Sequence, residues 1–270
     1  MTEDIKTPKL SDSTKPAIDY STCYKLPFLS LYNEDCFETM KRIPDNSVDL
    51  MLTDPPYTTT NCEWEYAIDF EKLWAEWLRI VKPNGAFIFT ASQPFTTDLI
   101  NSNRKMFRYE LIWEKPNPSN PLLAGKQPMK NHENIVVFYR TLPTFNPQKT
   151  IRLQENKRTQ KIKEKGVFET TGQKRIIPNA DGETKMPMSV LFFNREQTGY
   201  HPTQKPVDLI RYLVLTYSNK GETVFDGFSG SCTTGEACLI EGRNFIGSEL
   251  EPKYFEISKQ RLSNVPTQLF

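Results

Sequence analysis

The sequence predicts an α/β protein built on a doubly wound, mainly parallel sheet, with a small basic insertion after its first half. Three observations carry the prediction. Short apolar runs alternate with stretches of helical periodicity on both sides of residue 140. One run, Val48–Thr53 (VDLMLT), is almost continuously apolar, as suits a parallel strand buried on both faces. Between about residues 141 and 200 the pattern lapses into a polar, basic stretch.

Each element has its own signal. Residues 1–25 are polar, carry Pro8 and Pro16, and read as a loose arm. Leu26–Tyr32 reads as a strand, Phe37–Arg42 as a short helix and Val48–Thr53 as the buried strand. Phe70–Val81 (FEKLWAEWLRIV) has helical spacing, and Lys82-Pro83-Asn84-Gly85 supplies the turn that ends it. Ala86–Thr90 is the next strand, Thr96–Asn101 is helical, and Tyr109–Trp113 and Ile135–Tyr139 are strands. Beyond the basic stretch come a helix at Val207–Ser218, a strand at Thr223–Phe225 and a helix at Thr233–Glu241. A strand at Asn244–Ser248 and a helix at Pro252–Leu262 close the chain. The expected organisation is an arm (1–25), a first half (26–140), an insertion (141–200) and a second half (201–270).

Composition narrows the function. With 37% apolar and 12% aromatic residues, 270 residues can bury a core and do not read as a disordered chain. A net charge of +1 excludes a uniformly basic nucleic-acid binder, yet it hides its distribution. Lys149–Arg175 holds nine Lys or Arg against three Glu, a local +6 that leaves −5 for the rest of the chain. No stretch approaches the roughly 18 consecutive apolar residues of a membrane span, and the N-terminus has no apolar signal core. We therefore expect a soluble, cytoplasmic protein without a membrane partner. Cys23, Cys36, Cys62, Cys232 and Cys238 never form C-x-x-C, and only His132 and His201 are present. No disulfide framework and no metal site are expected.

Two motifs carry chemistry. Asp54-Pro55-Pro56-Tyr57 directly follows the buried strand, at the carboxyl end where open α/β sheets bind ligands. Asp54 offers carboxylate acceptors, the prolines hold an extended turn that presents carbonyl oxygens, and Tyr57 offers a flat face for a base. Such a cup can accept both hydrogens of an exocyclic amine; a proline-rich turn with a capping Asp is the plainer alternative. The second motif, Val224-Phe225-Asp226-Gly227-Phe228-Ser229-Gly230-Ser231-Cys232-Thr233-Thr234-Gly235, is a strand, a Gly/Ser loop and a helix start. Glu249 follows about 20 residues beyond the loop, at the end of the next strand, where a carboxylate can bind ribose hydroxyls. The loop is neither G-x-G-x-x-G nor a P-loop, and alone it fits a close-packing turn equally well.

Together, Asp54–Tyr57 and the Phe228-x-Gly230 loop resemble the DNA amino-methyltransferases that use S-adenosylmethionine. The order, with D-P-P-Y first and the cofactor loop last, resembles the β group of these enzymes. The resemblance runs from about Asn33 to Tyr254. It implies a seven-stranded, Rossmann-like methyltransferase sheet, with residues 26–140 as the catalytic half and 201–270 as the cofactor-binding half. Asp54, Pro55, Pro56 and Tyr57 then form the pocket for the target base. Asp226, Phe228, Gly230, Ser231, Thr233 and Thr234 match the cofactor loop, Glu249 the ribose-binding acid, and Asp35 a position near the adenine of the cofactor. Thr203, Gln204 and Lys205, in His201–Pro206, match the segment flanking the methionine moiety. His132-Glu133 recurs in the family at a similar place, and a structural role is expected for it. Two positions depart from the pattern: Gly227 stands where the family usually has Pro, and Cys232 where it has Gly.

The implied reaction is methylation of adenine N6 on a base flipped out of DNA, since an acid opens the motif where cytosine-N4 enzymes have Ser. Cytosine N4 or RNA as target remains open, as does a catalytically silent DNA-binding module. The basic stretch becomes the candidate recognition insertion, with Lys157, Arg158, Lys161, Lys163, Lys174 and Arg175 facing DNA phosphates. A homodimer and a cognate restriction nuclease are the further partners the resemblance suggests.

Overall fold

The structure is a computed structural model that describes residues 23–57, 69–119, 121–151, 184–196 and 204–265. In chain order its elements are β1 (Cys23–Leu26), β2 (Leu29–Tyr32), α1 (Cys36–Arg42), β3 (Val48–Thr53), α2 (Phe70–Ile80), β4 (Val81–Ala91), α3 (Phe95–Ser102), β5 (Phe107–Ser119) and β6 (Lys130–Tyr139). They continue with β7 (Thr150–Ile151), β8 (Thr184–Lys185), β9 (Val190–Phe192), α4 (Val207–Tyr217), β10 (Thr223–Asp226), α5 (Thr233–Glu241), β11 (Asn244–Ser248) and α6 (Pro252–Ser263).

Among the described residues the main sheet has nine strands in the order β1-β2-β11-β10-β3-β4-β6-β5-β9, which include the expected seven. Seven strands from β2 to β5 make the body, and one short strand extends each edge. At one edge, the single strand expected over Leu26–Tyr32 is two antiparallel strands, Cys23 opposite Tyr32 and Leu26 opposite Leu29. Pro27 has no N–H to donate, and Phe28 takes a left-handed φ of 68°, so the chain reverses there. At the other edge β9 runs parallel to β5. A second difference lies at Lys82–Gly85, which forms no separate turn. Val48 pairs with Val81 and Leu50 with Ala86, so these residues bulge out within a continuous β4.

Along the central strands, successive side chains face two different cores. Leu50, Leu52, Ala86, Ile88 and Val224 point to the core under α4, α5 and α6. Met51, Phe87, Phe89 and Phe225 point to the core under α1, α2 and α3, where Trp74 and Trp77 are buried. Helices on both faces explain why Val48–Thr53 is apolar on both sides. The topology also fixes the site. From β3 the chain steps outward to β4, whereas β10 lies on the other side of β3 and leads on to β11. The order reverses between β3 and β10, and a crevice opens at their carboxyl ends.

Candidate active site

Asp54 sits one residue past β3, at that crevice. Both oxygens of its carboxylate are engaged. The Tyr57 hydroxyl donates to Oδ1 at 2.5 Å, and the Thr90 hydroxyl at the end of β4 donates to the same atom. Lys205 Nζ donates to Oδ2 at 2.5 Å. Tyr57 stacks on Phe95, with ring centroids 5.2 Å apart, and Lys205 Nζ lies 5.6 Å from the centre of the same tyrosine ring. Burial, followed by the Asp54 charge, raises the Tyr57 pKa well above its usual value, so its hydroxyl stays protonated and donates.

Lys205 therefore lies against the Asp54–Tyr57 motif. It is buried and also lies 3.5 Å from Glu133 Oε2. Glu133, on β6, accepts a hydrogen bond from Lys115 of β5 at 2.9 Å. Burial alone would lower the Lys205 pKa, but Asp54 and then Tyr57 and Glu133 more than offset it and hold the ammonium well above its usual value. For Glu133, burial alone would raise the pKa, yet Lys205 and Lys115 bring it below the usual carboxylate range. Two carboxylates and two ammoniums thus alternate as Asp54, Lys205, Glu133, Lys115. Neither Lys115 nor the inward placement of Glu133 was anticipated. Their only signal is a pair of charged residues within otherwise apolar strands.

The second half of the site forms on β10 and β11. Asp226 is buried, and its Oδ1 accepts from the Thr53 hydroxyl at 2.6 Å and the Phe228 N–H at 3.1 Å. Thr53, the residue before Asp54, so ties the Asp54–Tyr57 motif to the loop. Burial pushes the Asp226 pKa up to about 6, partly offset by the Thr53 and Thr234 hydroxyls. Glu249 accepts from the Gly230 N–H at 2.7 Å and the Glu251 N–H at 2.8 Å, and burial raises its pKa to about 7. Asn33 steadies this strand end by donating to the Glu249 and Leu250 carbonyls at 2.8 and 3.1 Å. Gly230 is left-handed, with φ of 53°, and a Cβ built on it would meet no atom within 4 Å. Open space therefore lies beside the loop.

Other predicted residues have structural partners. Asp35 is exposed and caps α1 by accepting from the Phe37 N–H at 2.8 Å. Ser231 and Thr233 are held by Arg261 of α6, whose Nη1 lies 3.1 and 3.0 Å from their hydroxyl oxygens. Arg261 also reaches Glu236 and Glu196, and Gln204 donates to Glu196. Arg261 is a loop-positioning residue that no motif announced. At the two departures, a Cβ on Gly227 would come within 3.3 Å of Cys36 Cβ, so α1 crowds that position. Cys232 is left-handed, with φ of 58°, and its sulfur lies 2.5 Å from where a Cβ on Gly235 would stand. Thr203 and the six basic residues Lys157, Arg158, Lys161, Lys163, Lys174 and Arg175 lie outside the described residues. Among the described residues no group of three His, Cys, Asp or Glu could hold a metal, and no helix is long and apolar enough to cross a membrane.

The chain is similar to known proteins. The type II methyltransferase M.BglII of Bacillus subtilis is 30% identical over 262 residues, spanning 88% of this chain and 70% of that protein. The DNA adenine methyltransferase YhdJ of Escherichia coli (strain K12) is 29% identical over 259 residues, spanning 86% of this chain and 82% of that protein. Among solved structures, the M1.HpyAVI–SAM complex has a TM-score of 0.59 at 24% identity, covering 87% of this chain and 100% of that one. The cytosine-N4-specific PvuII DNA methyltransferase has a TM-score of 0.61 at 16% identity, covering 88% and 90%. These two likenesses show the shared methyltransferase fold. A family model described as DNA methylase matches residues 48–260, which span both motifs and the strands that carry them, and the chain belongs to that family.

Proposed function

We propose that this chain transfers a methyl group from S-adenosylmethionine to the N6 amine of adenine in DNA, on a base flipped out of the duplex. The observation that carries the reading is the Thr53–Asp226 hydrogen bond at 2.6 Å, which sets the Asp54 motif beside the glycine loop at one switch point. The loop suits the cofactor. Glu249 is a buried carboxylate that accepts from backbone N–H groups, matched to ribose hydroxyls, and Gly230 leaves open space next to it. S-adenosylmethionine supplies an electrophilic methyl group on a sulfonium centre.

The chain supplies position and charge. Asp54 and the Pro55 carbonyl accept the two amine hydrogens, and these bonds strengthen as positive charge grows on the nitrogen. Holding the amine in place supplies about 7–11 kcal/mol of barrier lowering in well-oriented reactions. The acid at position 54 and the adenine-specific name of YhdJ favour adenine over cytosine. The +6 segment supports phosphate contact by Lys157, Arg158, Lys161, Lys163, Lys174 and Arg175 in a recognition insertion over 141–200. Thr203 completes the cofactor set in this reading. A homodimer, a partner restriction nuclease and a place in the cytoplasm belong to the same reading, resting on the resemblance.

The test is incubation with unmethylated genomic DNA and methyl-labelled S-adenosylmethionine, followed by modification-aware sequencing. N6-methyladenine at a fixed sequence is expected, and Asp54→Ala lowers the rate by about a thousandfold or more. N4-methylcytosine overturns the base assignment, and absence of label on any DNA overturns the activity.

A further inference from the structure

We infer that Lys205 is a placeholder for the target amine: it occupies Asp54 Oδ2 while the base is absent and passes to Glu133 when the amine arrives. The inference rests on Asp54 being the acceptor for that amine.

The geometry has three parts. First, Asp54 has no idle oxygen in the base-free chain. Oδ1 is shared by two neutral hydroxyls, those of Tyr57 and Thr90, while Oδ2 is held by the Lys205 ammonium at 2.5 Å. An incoming N–H donor therefore meets the ammonium at Oδ2, the oxygen with room for a second bond. The Asp54 side chain is 30% exposed, so that exchange is open to a ligand.

Second, a loosely held acceptor stands ready for the displaced ammonium. Glu133 Oε1 is taken by Lys115, but among the described residues the buried Glu133 Oε2 accepts no well-formed hydrogen bond and has only the distant Lys205 ammonium beside it. It lies 3.5 Å from Lys205 Nζ, beyond a charge-assisted bond of about 2.8 Å. A movement of under about 1 Å would complete it. A buried carboxylate oxygen without a well-formed hydrogen bond is destabilising in itself, and such groups call for a reason. Reception of Lys205 is that reason.

Third, the charges balance before and after. Asp54, Lys205, Glu133 and Lys115 sum to zero, and the exchange breaks one ammonium–carboxylate contact while completing another. No charge is stranded in the interior. Lys205 keeps its proton throughout, and the neutral amine takes over the bond to Asp54. Lys205 and Glu133 are therefore positioning residues, and Lys115 fixes the receiving carboxylate.

The test compares wild type, Glu133→Gln, Lys205→Met and the double variant as full chains, with unmethylated genomic DNA and methyl-labelled S-adenosylmethionine. Glu133→Gln is expected to lower kcat by about 10- to 100-fold. KM for DNA and the Kd for S-adenosylhomocysteine should stay within about threefold, because neither phosphate contact nor the cofactor loop is altered. In the Lys205→Met background nothing remains to be received, so adding Glu133→Gln leaves kcat unchanged. A Glu133→Gln kcat within about twofold of wild type, or losses that multiply in the double variant, overturns the placeholder. Glu133→Asp, which keeps the charge but retracts it by one methylene, covers the case in which Glu133→Gln does not fold. It too must lower kcat at constant cofactor affinity, and a wild-type kcat overturns the inference. Asp54→Ala separates the two readings. Activity in Asp54→Ala sinks the role of Asp54 itself, whereas an inactive Asp54→Ala beside an unimpaired Glu133→Gln sinks only the placeholder.

Discussion

The two ends of the site use the same side-chain chemistry in opposite ways. At the β3 end, Asp54 and Glu133 face buried ammonium groups, Lys205 and Lys115. At the β10 end, the bonds to Asp226 and Glu249 come from hydroxyls and backbone N–H groups, all neutral. The consequence is visible in their ionisation. Burial raises Asp226 to about 6 and Glu249 to about 7, whereas Glu133, partly buried, is brought below its usual range by the two lysines. Neutral donors offset part of the desolvation of a carboxylate, and a cation in contact reverses it. Glu133 and Lys205 are thus held in their charged states, and the β10 end is poised to be tuned by what binds there.

Removing a charge should therefore do opposite things at the two ends. Lys205→Met leaves Asp54 and Glu133 without their shared cation, and breaking a buried pair in this way destabilises by about 3–5 kcal/mol. For a domain of this size that lowers Tm by about 6–15 °C, read by calorimetry at pH 8. Asp226→Asn keeps an acceptor for Thr53 and Phe228 while removing an unpaired buried charge. Its Tm at pH 8 is expected to equal or exceed that of wild type, with a gain of about 1–2 kcal/mol, while cofactor binding weakens. Equal losses in both variants would abolish the contrast.

Glu249 extends it to pH. Its folded pKa of about 7 lies above the unfolded carboxylate value, so the folded chain holds an extra proton between the two. The stability penalty of the buried charge is fully present above about pH 7 and fades as pH falls toward about 4.5. Ribose hydroxyls need the charged acceptor, so cofactor affinity should run the other way. Titration calorimetry with S-adenosylhomocysteine is expected to show Kd rising about tenfold from pH 8 to pH 6. Asp226, at about 6, adds to the rise only lower in the range. Glu249→Gln should bind weakly and with a flat profile, and a persistent slope in that variant would move the titrating group elsewhere.

The same division decides what the sequence could reveal. The strand ends were legible because apolar runs and helix patterns mark them: Val48–Thr53, Thr233–Glu241 and Asn244–Ser248 fall where their residues predict. Asp54 and Glu249 stand out as candidates because each follows such a run. Lys115, Glu133 and Arg261 act through partners 18 or more positions away, Arg261 reaching Thr233 across 28 and Ser231 across 30. Only sheet register and helix docking bring these together, and no local pattern encodes them. Lys205 lay inside a recognised motif, but its contact with Asp54 spans 151 positions and depends on α4 starting beside β3. The edge strands escaped notice for a different reason: β9 has three residues and β1 four, too short for alternation to register.

The smallest expected effect is at Cys232, where the β10 end is governed by backbone rather than charge. Cys232 is a non-glycine residue at φ 58°, a conformation that adds about 1–2 kcal/mol of strain for an L side chain. Its thiol is fully buried, which returns a comparable amount, and glycine adds about 0.5–1 kcal/mol of chain entropy. These terms oppose one another, so Cys232→Gly should change stability by less than about 1 kcal/mol in urea titration. Gly235→Ala alone should destabilise by about 1–3 kcal/mol, because its Cβ would meet the Cys232 sulfur at 2.5 Å. In the Cys232→Gly background that contact is gone and only Phe245, at 3.1 Å, remains in the way. The double variant should therefore recover about 1 kcal/mol of the loss. Strict additivity of the two changes would mean that the thiol does not set the packing of α5 behind the cofactor loop.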